Sequence, residues 1–127
     1  MAEPRPIADS ELEMMQFLDV DETEDEVYAG PCTVWGWWIT NTATAVRWLK
    51  WYDGLAADVA VGTTTPKGTF GIPGTAGGDD VAANMSLPRG IYFPHGLCIA
   101  ATTGFAVNDT GAPGANDVLV TLWVKKG

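Results

Sequence analysis

Basic residues are scarce in this 127-residue chain: Lys and Arg total 7 against 16 Asp and Glu, a net charge of −9. Proteins that bind nucleic acid neutralise phosphates with a basic footprint, so the composition argues against that class. Histidine occurs once, as His95, and cysteine twice, as Cys32 and Cys98, with no CxxC and no second ligand type near His95. A zinc centre needs several such donors at short spacing, and a nucleophile triad needs a His base with partners. P-loop, GxSxG and GxGxxG patterns are missing as well. The reading is a protein that is not an enzyme and carries no cofactor or metal. No run of 18 apolar residues occurs, which leaves out a membrane-crossing helix and a membrane partner. The opening Met-Ala-Glu-Pro-Arg-Pro lacks the apolar stretch of a secretory signal, so the expectation is synthesis in a cytoplasm with both thiols reduced.

What the chain does have is 46% hydrophobic residues, 15 Gly, 8 Pro and 6 Trp. That is a globular composition of one-domain length, rich in turn formers. Charge is unevenly spread. Residues 1–28 hold ten acids against the single Arg5, a net of −9, whereas Ala29 to Gly127 has six acids and six bases. The pattern predicts an acidic N-terminal arm, 1–28, ahead of a neutral domain, 29–127, with the boundary at Tyr28-Ala29-Gly30-Pro31.

From Thr33 onward short apolar runs alternate with turn residues. The runs are Thr33–Asn41, Val46–Tyr52, Asp58–Val61, Gly68–Ile72, Asp80–Leu87, Gly90–Phe93, Leu97–Thr103 and Asp117–Lys125. About eight short strands with turns every 8–12 residues predict an all-β fold, an antiparallel β-sandwich, with a jelly roll as the arrangement that eight strands in two sheets match. Alternation then assigns faces. Val118, Val120, Leu122 and Val124 face the core, as do Leu49 and Trp51, and Trp35, Trp37 and Ile39. Trp48, Lys50 and Tyr52 face out, with Trp38 and Trp123. Exposed aromatics of this kind mark a protein–protein interface. A sugar-stacking platform is the alternative, but the neighbours Gly36, Thr40, Lys50 and Thr121 offer few polar partners.

In the arm, Ser10 and Glu13 have capping-box spacing, which suggests one or two helical turns. Leu12, Met14, Met15, Phe17 and Leu18 form an apolar cluster before the acidic run Asp19–Glu26. The cluster reads as an anchor on another subunit and the acids as a match for a basic partner; the bland reading is a solubility tail. Asp79-Asp80, Asn108-Asp109 and Asn116-Asp117 could offer oxygen ligands to calcium, but read more simply as turn residues.

Several stretches resemble small structural proteins of tailed bacteriophages. They are Gly36-Trp37-Trp38-Ile39-Thr40-Asn41, Ala45–Asp53, Val61–Pro66, Ile72-Pro73-Gly74, Leu87–Phe93, Gly96–Ala100, Thr102-Thr103-Gly104 and Asp117–Val120. The likeness covers roughly residues 30–124 and leaves out the arm. It implies a capsid decoration (cement) protein on the virion exterior, a jelly roll that assembles as a homotrimer on the major capsid protein. The alternative it leaves open is a tail or head-fibre module that binds host-surface glycans.

Overall fold

The computed structural model describes residues 12–75 and 81–127, with the backbone alone over 81–88. Its strands are β1 Leu12–Phe17, β2 Asp25–Tyr28, β3 Cys32–Asn41, β4 Arg47–Asp53, β5 Gly68–Ile72, β6 Val81–Phe93, β7 Leu97–Thr102 and β8 Val118–Lys126. They form two four-stranded antiparallel sheets, β1-β8-β3-β6 and β2-β7-β4-β5. The all-β, sandwich expectation holds. Each strand of the first half pairs with its mirror in the second: β1 with β8, β2 with β7, β3 with β6 and β4 with β5. Pairs β3–β8 and β4–β7 then join these hairpin rungs into sheets. The chain is in effect one long hairpin folded over, a layout that pairs the most distant segments in sequence.

The core lies between the sheets and follows the alternation of apolar residues. Val118, Val120, Leu122 and Val124 of β8 meet Leu49 and Trp51 of β4 and Leu97, Ile99 and Ala101 of β7. Burying a large aliphatic or aromatic side chain contributes about 1.5–3 kcal/mol, so this layer dominates the stability.

Four expectations need correction. The segment Asp58–Val61 is no strand; its first residue closes a 3-10 turn, Ala56–Asp58, and Val59 and Val61 pack on the outside of the second sheet. The described part of the run Asp80–Leu87, from Val81, and Gly90–Phe93 belong to one strand, β6, carried through Pro88-Arg89-Gly90 by an irregularity opposite Val34–Gly36; Asp80 lies outside the described residues. Gly90 makes this possible: its φ is +71°, and a Cβ there would lie 2.4 Å from Thr33 Cγ2. The same irregularity shifts the faces of β3. Val34 as well as Trp37 and Ile39 enters the core, while Trp35 leaves it for a half-buried place beside Gly90.

The fourth correction concerns the arm. Residues 12–28 are no extension from the domain, because they supply a strand to each sheet and Val20 and Val27 to the core. Leu12–Phe17 is β1 rather than helical turns. So short a helix gains little in water, whereas the edge of β8 offers a full ladder of partners. Residues 1–11, with Ser10 and most of the expected cap, lie outside the described residues.

Candidate functional site

The two sheets treat their outer faces differently. Behind the second sheet, Tyr52, Cys98 and Ala100 are fully buried beneath Val59, Ala56 and Val61. Lys50, expected outward, does point away from the main core, yet it too is fully buried. Its Nζ donates to the carbonyls of Ala106 at 2.7 Å and Asp109 at 3.2 Å, so one ammonium ties down the loop after β7. Burial pushes that amine below its usual value, and the charge of Asp109 partly offsets this. The turn residues do structural work here. The Asp109 carboxylate accepts from the Gly111 N–H at 2.8 Å. Asp117 accepts from the Gly114 N–H at 2.7 Å and pairs with Arg47 at 3.1 Å.

Among the described residues, no segment covers the outer face of the first sheet in this way. Register places its residues in rows across β1, β8 and β3. Leu12 lies beside Lys125 and Thr33, with Tyr92 of β6 next in line. Met14 lies beside Trp123, then Gly36; Gln16 beside Thr121, then Trp38; Leu119 beside Thr40. Met14 is 66% exposed, Tyr92 51%, Leu12 47% and Trp38 45%, and Trp123 is half-buried. Lys125 is the one charged residue in these rows, on a chain of net charge −9. With Trp123 opposite Gly36 and Trp38 opposite Thr121, the two indoles sit on diagonal positions of β8 and β3.

Of the residues the sequence singled out, Leu12, Met14, Trp38 and Trp123 thus come together. Met15 and Phe17 do not; they alternate to the other side of β1 and pack on the core. Leu18 is exposed just past the strand. Trp48 lies on the far side of the molecule, over Gly71, where a Cβ would come within 2.7 Å of its ring, and 5.6 Å from the ring of Phe105. Tyr92, Leu119 and the exposed Phe105 were missed. The signal for the first two is the β3–β6 and β3–β8 register, which spacing in sequence does not reveal.

The acids of the former arm are partly spent within the fold. Asp19 accepts from the Asn116 N–H at 2.8 Å, Asp21 from the Thr23 N–H at 2.9 Å and Glu26 from the Ala56 N–H at 3.0 Å. Burial, with the charges of Asp21, Asp19 and Glu24, raises the carboxyl of Asp25. His95, exposed in its turn, holds Asp53 at 2.9 Å through Nδ1. Burial alone would raise Asp53, but the hydrogen bonds and charge of His95 outweigh it and hold the carboxyl below its usual range. Cys32 and Cys98 are free and buried, one in the main core and one behind the second sheet. Burial pushes both thiols up to about 11, far from a reactive thiolate.

No family model matches the chain, and no curated protein is significantly similar to it.

Proposed function

We propose that this protein is a structural virion protein that decorates and stabilises the exterior of a tailed-phage capsid, bound to the major capsid protein as a homotrimer. The observation that carries the reading is the nearly uncharged face of the first sheet, which no described segment covers, with Met14, Trp38 and Trp123 on it. Large apolar side chains grouped on one exposed face are the material of a contact site. The mirror pairing of the strands fits the jelly roll that the resemblance implies. The role is mechanical: binding to assembled subunits and not to separated ones adds to the free energy needed to pull them apart.

Magnitudes favour several copies acting together. Burying about 300 Å² of this face contributes roughly 7 kcal/mol at ~25 cal/mol per Å². Association costs about 4–15 kcal/mol, so one face holds weakly and a linked set of faces holds by avidity. The exposed Phe105 beside Trp48 favours a second reading, the tail or head-fibre module that stacks host glycans. Counting copies in purified virions by quantitative mass spectrometry separates the two. Hundreds of copies per particle support decoration; a handful supports the fibre reading and rejects the first.

A further inference from the structure

The two edges of each sheet are unlike. On one side of the sandwich lie β1 and β2, and the acids Asp19–Glu26 crowd that side. Charge on an edge strand discourages further strands from pairing with it. On the other side lie β5 and β6, each the last strand of its sheet among the described residues. The charged residues next to β5 and in the described part of β6 are basic, Lys67 and Arg89.

Between β5 and β6 the sandwich opens on a cavity of about 80 Å³, walled by Trp37, Trp51, Phe70, Ile91 and Phe93, with Lys67 in its lining. The rings brace one another: Trp37 is 5.1 Å from Trp51 and 5.3 Å from Phe70, and Trp51 is 6.5 Å from Phe93. Such a wall keeps its shape when empty. A dry cavity of about 150 Å³ accepts benzene; this one is about half that and suits a single small aliphatic side chain. The Lys67 ammonium lies 4.6 Å over the Phe93 ring and donates to the Tyr92 carbonyl, and its charge also reaches the Asp53 carboxylate. The Trp51 indole N–H is buried with no acceptor among the described residues.

We infer that this open side binds an extended acidic segment of a partner protein, which adds as a strand beside β5 and inserts one small aliphatic side chain into the cavity. Strand addition uses the unpaired backbone of an edge for affinity and a side-chain pocket for selectivity. An added strand points alternate side chains into the gap between the sheets, where the cavity lies. Acidic residues flanking the inserted side chain pair with Lys67, on the side of the molecule away from the Asp19–Glu26 cluster. The inference concerns a different surface from the sheet face above, so either can fail alone.

The test titrates the full chain, ¹⁵N-labelled, with the peptide acetyl-Glu-Thr-Val-Thr-Glu-amide and follows the Trp51 indole N–H by NMR, assigned with Trp51→Phe. The expected result is a saturable shift with a dissociation constant of roughly 0.1–1 mM. Asn in place of the central Val abolishes it. Lys67→Glu, at an exposed position, weakens binding roughly fivefold at low salt. Ile91→Phe fills the cavity and removes binding; a thermal melt verifies that the variant folds, and Lys67→Glu carries the test if it does not. No shift at millimolar peptide, equal binding of the Asn peptide, or unchanged binding by Lys67→Glu would overturn the inference. A Trp51 shift that depends on protein concentration without peptide would place a second copy there and overturn it too.

Discussion

The outer faces of the two sheets are built on the same alternation and end differently. Behind the second sheet, Lys50 and Tyr52 are as inaccessible as the main core. On the first sheet, Met14 and Trp38 stand in solvent. Strand pattern does not account for the difference, since Leu49 and Trp51 of β4 and the four aliphatics of β8 alike take alternate positions towards the core. Loops do: the segments after β4 and β7 fold back over the second sheet, and no described segment does so over the first. An outer face is therefore part of the domain's stability where a loop closes it, and available for a partner where none does.

That contrast can be broken at several strengths. Removing residues 1–28 should have the largest effect, because it takes away β1, β2, Val20 and Val27 together. The truncated chain should show no cooperative thermal transition by circular dichroism. Next, Leu122→Ala, at a fully buried position, should cost about 2–5 kcal/mol in denaturant melts. Lys50→Ala should cost about 1–3 kcal/mol, since it strands the Ala106 and Asp109 carbonyls beneath their own loop.

Alkaline pH should act on the covered groups more gently. Cys32 and Cys98 titrate near 11 in the folded chain against 9.0 when free, and burial raises Tyr52 in the same direction. The folded state then holds more protons than the unfolded one, so stability is intact below pH 9 and falls as pH rises from 9 towards 11. The lowered Lys50 amine works against this loss, because its penalty fades as the amine is neutralised. Melting temperatures from pH 8 to 11 should therefore fall, and fall less in Cys98→Ala. The smallest effect belongs to the open face. Trp38→Ser and Met14→Ser should each change stability by less than about 0.5 kcal/mol.

Much of the fold was legible because β3, β4 and β8 turn one apolar face to the core and so show their period. Trp37, Ile39, Leu49, Trp51 and all four aliphatics of β8 are where alternation puts them. The eight strands are nevertheless a different eight from those expected: Asp58–Val61 drops out, two runs merge into β6, and β1 and β2 enter. Those two were illegible for a physical reason. β2 is Asp-Glu-Val-Tyr with only Val27 buried, and an edge strand of that kind is made by its neighbour's ladder rather than by its own pattern. Charge there marks a guarded edge, not a separate arm. Trp35 was misplaced because an irregularity in a ladder leaves no mark in the strand that bears it; Gly90, on the partner strand, was the clue. Half of the candidate site was visible as exposed aromatics, and the rest required the register that sets Met14 beside Trp123.

Oxidative footprinting tests the central claim most directly, with Met14 and Trp38 followed in the isolated protein and in purified virions. If the open face of the first sheet is the contact surface, both side chains oxidise readily in the free chain and are protected in the particle, while Phe105 on the opposite side stays reactive in both. Equal oxidation of Met14 and Trp38 in the two states would show that this face meets no partner in the virion and would contradict the account.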